Sequence, residues 1–253
     1  MFLSKKFTIT EYLSYSGMLF NIREKLIYRE TFAILCYFLV YMIFSFSSPE
    51  AEYLHWSSLV VLPFGILYYI QRKNLIAPSL KLSLAFFGLR KNNMTKGLLS
   101  ASVIGILLSL VLVVAGGNIN SVSEIVLSAE VLYLMPLAFI LQLITVGFTE
   151  EFFFRGVIQT RMVRLVKSNF LGITITSILF GIFRIPYYYL ALGNTGFNSW
   201  DPFFIFIFGE GVVAGFIIGY MYLKSSENLL SAVVLHSAMM ILPSLFTIKM
   251  NWF

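Results

Sequence analysis

Between Gly97 and Ala115 the chain runs for 19 residues without a charged side chain. At about 1.5 Å per residue that is close to the ~30 Å hydrocarbon core of a bilayer. Comparable apolar blocks recur along the sequence, separated by short loops that are polar or basic. In lipid every backbone N–H and C=O must be paired within the protein, so blocks of this length have to be helices. Composition points the same way: 58% of the 253 residues are hydrophobic, 12% are charged, and mean hydropathy is +0.85. The expectation is therefore an all-α fold, a polytopic membrane helical bundle of about seven transmembrane helices, forming a single membrane domain over residues 1–253.

Read in order, residues 1–30 interleave Lys5, Lys6, Arg23, Lys25 and Arg29 with apolar residues and read as an amphipathic tail along the cytoplasmic interface. The N-terminal spans, within 31–124, are expected at 31–46, 53–70 and 97–115. Residues 82–89 are apolar but too short to cross. The remaining spans, within 125–248, are expected from about 125 down to Glu150 and Glu151, then at 171–190, 202–223 and 229–248. Every Lys and Arg except Arg184 and Lys249 falls in the tail or in alternate connectors, including 71–96 and 155–167. The opposite connectors hold Glu50, Glu52, Glu124 and Asp201. The positive-inside rule then predicts a multi-pass protein of the cell membrane with its N-terminus cytoplasmic and its C-terminus outside. This distribution accounts for the formal charge of +6 without nucleic acid as a partner. The single cysteine, Cys36, can form no internal disulfide.

Ionisable groups inside the spans carry the functional information, because they are costly in lipid. In Thr149-Glu150-Glu151-Phe152-Phe153-Phe154-Arg155-Gly156, Glu151 and Arg155 stand at i and i+4 and can pair. Glu150 points about 100° away and is left for another task. His236 is expected near the depth of Glu150. Arg184 and Glu210 lie at similar depth in neighbouring spans, and a structural ion pair is the simplest reading, with Arg184 expected to pair with Glu210 or Glu150. Gly211, Gly215 and Gly219 recur every fourth residue and offer a smooth face for close helix approach.

Three features together carry a family resemblance. They are Glu-Glu-x-x-x-Arg at 150–155, a later apolar helix with Phe180, and Gly219-Tyr220-Met221-Tyr222-Leu223 leading to a helix with His236. Over about residues 125–245 the chain resembles the CAAX-prenyl-protease and bacteriocin-processing (CPBP, or Abi) family of intramembrane proteases. The resemblance implies a helical membrane fold in which the first Glu activates a water that attacks a peptide carbonyl. Carried over, Glu150 is that base, Glu151 and Arg155 support it, and His236 helps to stabilise the oxyanion. Two positions depart from the family pattern. Its second motif, Phe-x-x-x-His, reads Phe180-Gly181-Ile182-Phe183-Arg184, and its last, His-x-x-x-Asn, reads His236-Ser237-Ala238-Met239-Met240. Arg184 is a permanent cation that donates hydrogen bonds and cannot take a proton from water. His55, the only other histidine, is expected near the outer end of the second span, away from the site.

Losing a general-base partner typically costs about 10²–10⁴ in rate, and losing an oxyanion donor about 10²–10³. Two functions are therefore expected. One is a catalytically impaired or inactive protease homologue that binds a membrane or cell-envelope partner. The other is an active intramembrane endopeptidase cleaving membrane-associated peptides, with Glu150 as base and Arg184 and His236 as electrophilic donors. The bilayer and a membrane-associated peptide or membrane protein are the expected partners. No cofactor is required by either reading. Glu150, Glu151 and His236 could supply three zinc ligands, but a metal-free acid–base site fits the residues better.

Overall fold

Residues 9–47, 54–74, 94–115, 119–191 and 204–245 are described by the computed structural model, and every element among them is helical. Helix α1 spans Ile9–Ser47. A wide turn at Ser57–Val61 leads into α2, Leu62–Asn74. Helix α3 is Met94–Ala115 and the short α4 is Ile119–Leu127. Then come α5 at Val131–Val166, α6 at Asn169–Ala191, α7 at 204–224 and α8 at Leu229–Met239.

Five described segments are long and apolar enough to cross a membrane: Lys25–Ser47, Gly97–Ala115, Val131–Val166, Asn169–Pro186 and Ile207–Lys224. Among the described residues the protein is thus an all-helical, multi-pass membrane bundle, as expected, with five long spans beside shorter apolar helices. Helix α8 is apolar but shorter, and after a turn at Met240 residues 241–245 are again helical. The segment expected as the second span, 53–70, holds His55 near its start and is followed by Gln71, Arg72 and Lys73. The tail and the first span, separate in the sequence reading, form one helix from Ile9. The expected interfacial stretch 82–89 lies outside the described residues.

The largest difference concerns α5. The sequence reading ends this span at the Glu pair and makes 155–167 a loop. No proline lies between Glu151 and Lys167, and the helix runs on through Gly156 until Lys167 turns left-handed at φ 53°. The Glu pair consequently sits near the middle of a 36-residue helix. Arg155 and Arg161, counted from sequence as loop cations, are buried inside the protein. The two halves of α5 have different environments. Leu132, Tyr133, Leu137, Ile140 and Ile144 of the first half are exposed on the lipid side, whereas Thr149 to Met162 are buried all round. Phe152, Phe153 and Phe154 anchor this second half. The Phe154 ring lies 4.8 Å from that of Phe180 and 5.2 Å from that of Phe183 on α6, and the Phe153 ring packs against Tyr37 and Phe38 on α1.

Two devices set the register of the surrounding helices. Between α7 and α8, Glu227 N–H donates to Tyr222 O and Ser226 N–H to Leu223 O, the bond pattern of a Schellman cap. Asn228 then caps α8 by accepting from Leu230 N–H at 3.0 Å. This hairpin fixes the depth of His236. Along α7 the glycines at every fourth residue face α5 and α6, as the spacing predicts. A Cβ on Gly211 would lie 2.6 Å from Gly181 Cα, one on Gly215 would lie 3.1 Å from Phe180, and one on Gly219 would lie 2.6 Å from Gln159 Oε1. Such close approach exposes the α7 carbonyls to donors from α5. Arg155 Nη2 donates to Gly215 O and, one turn on, Gln159 Nε2 donates to Gly219 O, both at 2.9 Å.

Candidate active site

Helix α5 brings the Glu pair into the interior between two wide π-helical runs, Leu143–Gly147 and Phe152–Gln159. Wide turns of this kind recur at functional sites because they redirect side chains. Glu151 and Arg155 form the expected i,i+4 pair, with Nε 3.0 Å from Oε2. The approach is electrostatic, since the angle falls outside hydrogen-bond limits. The other Glu151 oxygen, Oε1, is 2.7 Å from His236 Nδ1. Glu151 is thereby held from two sides and positions its neighbours.

Glu150 is not left free. Its Oε2 lies 2.9 Å from Arg184 Nη2, so of the two carboxylates expected as partners of Arg184, Glu210 and Glu150, the guanidinium takes Glu150. The same Nη2 is 3.3 Å from His236 Nε2. These contacts assign the His236 tautomer. A guanidinium only donates, so Nε2 carries the lone pair, and the Nδ1 proton is given to the Glu151 carboxylate. Glu151, His236, Arg184 and Glu150 therefore form one continuous buried chain of polar contacts. Phe180 lines it, with Arg155 and Arg184 guanidiniums 4.8 and 4.9 Å from its ring centre and the His236 ring edge-on at 5.8 Å.

His55 is the site residue that sequence reasoning placed elsewhere. Its Nε2 stands 3.6 Å from Glu150 Oε1, and its side chain keeps 21% exposure. Tertiary contacts carry it there. Tyr37 Oη on α1 donates to Ser58 O, the Trp56 ring stacks on Phe148 at 5.3 Å, and the His55 ring packs against Phe183 at 6.2 Å. No spacing within the sequence signals this placement. The chain's two histidines come from helices far apart in sequence and both end within 4 Å of Glu150, at 3.6 and 3.9 Å.

A second buried polar group lies outside this cluster. Glu30 on α1 accepts from Arg161 Nε on α5 at 3.1 Å and from Gln71 Nε2 on α2 at 2.9 Å. Arg161 Nη1 also donates to Gly156 O, Val157 O and Thr160 Oγ1. This group ties three helices together, and its cation had been read as part of a basic loop.

Among the described residues no three His, Cys, Asp or Glu side chains converge in a metal-holding arrangement. The donor chemistry explains this at the cluster itself. His236 spends Nδ1 on Glu151, and its Nε2 faces the Arg184 cation where a zinc ion would need it. Glu150, Glu151, Arg155, Arg184 and His236 are all brought together, His55 joins them, and Glu210 Oε2 is buried with no hydrogen-bond partner.

With this geometry in view, residues 132–242 match the family model described as type II CAAX prenyl endopeptidase Rce1-like. No curated protein and no solved structure matches the chain.

Proposed function

We propose that this membrane protein, whose residues 132–242 form a type II CAAX prenyl endopeptidase Rce1-like domain of the CPBP family, is an intramembrane endopeptidase with a rewired centre. The observation that carries this reading is the convergence of both histidines on Glu150. The Rce1-like domain has Arg184 where a second-motif histidine is expected, and His55, from outside the matched residues, takes up the neighbouring position on Glu150. Glu150 Oε1 and His55 Nε2 are 3.6 Å apart, so both lie within hydrogen-bond reach of one water oxygen.

Glu150 accepts a proton from that water while the oxygen adds to the carbonyl carbon of the scissile peptide. His55 orients the water. The resulting oxyanion meets N–H groups of Arg184, which takes the role expected of His236. His236 instead holds Arg184 through Nε2 and is itself held by Glu151. As the C–N bond breaks, Glu150 returns the proton to the departing amine nitrogen. Substrates of this reading are membrane-associated peptides, and the N-terminus lies on the cytoplasmic side.

The test is cleavage of transmembrane peptides co-reconstituted with the purified protein, with new termini mapped by mass spectrometry. Wild type should cut, Glu150→Gln should abolish cutting, and His55→Gln should lower the rate by about 10²–10⁴. A wild type that produces no new termini overturns the reading.

One observation favours a second reading, a non-hydrolytic homologue that binds a membrane or cell-envelope partner. Arg184 Nη2 engages both Glu150 Oε2 and His236 Nε2, atoms a hydrolytic centre would use. In that case Glu150→Gln leaves the cellular function intact, and Arg184→His with Met240→Asn restores peptide cleavage.

A further inference from the structure

We infer that Glu210 is a second seat for Arg184, so that the guanidinium alternates between Glu150 and Glu210 and frees Glu150 Oε2 and His236 Nε2 when it moves. The release of Glu150 for chemistry rests on the endopeptidase reading; the two seats do not.

The inference starts from unmet bonding capacity at two neighbouring buried groups. Arg184 Nε and Glu210 Oε2 are both buried and both lack a hydrogen-bond partner among the described residues. Glu210 is 7% exposed and Arg184 6%. A buried carboxyl oxygen without a hydrogen bond is costly for a protein to hold. The helices that bear them touch backbone to backbone at Gly181 and Gly211. Glu210 adjoins Gly211, and Arg184 stands one turn beyond Gly181 on the same side of α6. Arg184 and Glu150 are the charged groups that act on Glu210. Three carboxylates, Glu150, Glu151 and Glu210, thus share two guanidiniums. Arg155 is committed to Glu151 and to Gly215 O. Arg184 is left to serve the remaining two.

This arrangement makes Glu210 a positioning residue acting through Arg184. With Arg184 on Glu150, the carboxylate is ion-paired and the centre is closed. With Arg184 on Glu210, Glu150 faces His55 unpaired, and a guanidinium N–H remains near for the oxyanion.

The experiment uses the full chain in detergent and compares Tm for wild type, Glu150→Gln, Glu210→Gln and the double substitution. Each single change leaves Arg184 one seat, so each should shift Tm little. The double change should lower Tm by more than the sum of the singles. If the double variant does not accumulate, adding Arg184→Leu should restore it, because the stranded cation is the cause. Additive shifts, or no restoration, overturn the second seat. In the peptide-cleavage assay Glu210→Gln should lower kcat about tenfold with KM unchanged, as expected when the releasing seat is withdrawn, and Glu210→Asp should recover the rate. Wild-type kcat in Glu210→Gln removes the positioning role. A more than additive Tm loss in a protein that cleaves nothing keeps the two seats and removes the endopeptidase reading.

Discussion

Replacing Arg155 by Met tests whether the Glu pair is truly enclosed. The Arg155 guanidinium is fully buried, lies 3.0 Å from Glu151, donates to Gly215 O at 2.9 Å and covers the Phe180 ring at 4.8 Å. Removing one member of a buried pair costs about 3–5 kcal/mol, and a lost charge-assisted bond to a carbonyl about 1.5–3 kcal/mol. The two overlap, because the same desolvated groups are counted in each. Glu151 also keeps its contact to His236 at 2.7 Å, so it is not stranded. The low end applies, about 3 kcal/mol, which for a chain of this size corresponds to a Tm loss of about 6–12 °C. Thermal unfolding in detergent, followed by far-UV circular dichroism, reads it directly. Adding Glu151→Gln should recover about half of the loss, since Nη1 and Nε of Arg155 make no hydrogen bond and the pair is imperfectly satisfied. A variant that melts within about 2 °C of wild type would refute the enclosed pair.

Other outcomes follow from the packing. Gly219→Ala should cost about 1–3 kcal/mol, because its Cβ displaces Gln159 Oε1 at 2.6 Å and breaks the bond to Gly219 O. Gly65→Ala, with nothing within 4 Å, should be neutral or raise Tm slightly through helix propensity; equal effects of the two alanines would contradict the close seam. Glu30→Gln should lower stability by about 2 kcal/mol through Arg161, while Glu124→Gln at an exposed position should not, both read by Tm. In a Cys36→Ser background, Lys73→Cys, Lys167→Cys and Lys224→Cys should all react with a membrane-impermeant maleimide from the cytoplasmic face only. Any one of them labelled from outside defeats the proposed orientation.

What the sequence made legible, and what it hid, divides along local and tertiary causes. The helical bundle followed from apolar blocks, and the Glu151–Arg155 pair from i,i+4 spacing, both local properties. The glycine face of α7 was equally plain from its repeat. The reach of α5 is hidden because Arg161 looks like a loop cation unless its partner Glu30, 131 residues away, is seen. Arg184's choice of Glu150 over Glu210 depends on where α5 passes α6, which no spacing encodes. His55 was assigned to a distant position by counting residues from a membrane boundary. Its real place is decided by Tyr37, Trp56 and Phe183.

The attachments of the first two helices have a mechanical consequence. Tyr37 to Ser58 and Gln71 to Glu30 bind α1 and α2 into a stiff pair, and Glu30 pins that pair to α5 through Arg161. Around His55 the arms meet α5 and α6 through rings, Trp56 on Phe148, and His55 and Tyr41 on Phe183, beside the His55–Glu150 contact. A pair of arms riveted at one end and held by stacked rings at the other opens like tweezers, at the ring end. His55 rides on the moving arm. Under the proposed endopeptidase reading, parting that arm from α5 would withdraw the histidine from Glu150. In the proposed mechanism the meeting of His55 and Glu150 would therefore depend on how the α1–α2 arms rest against α5.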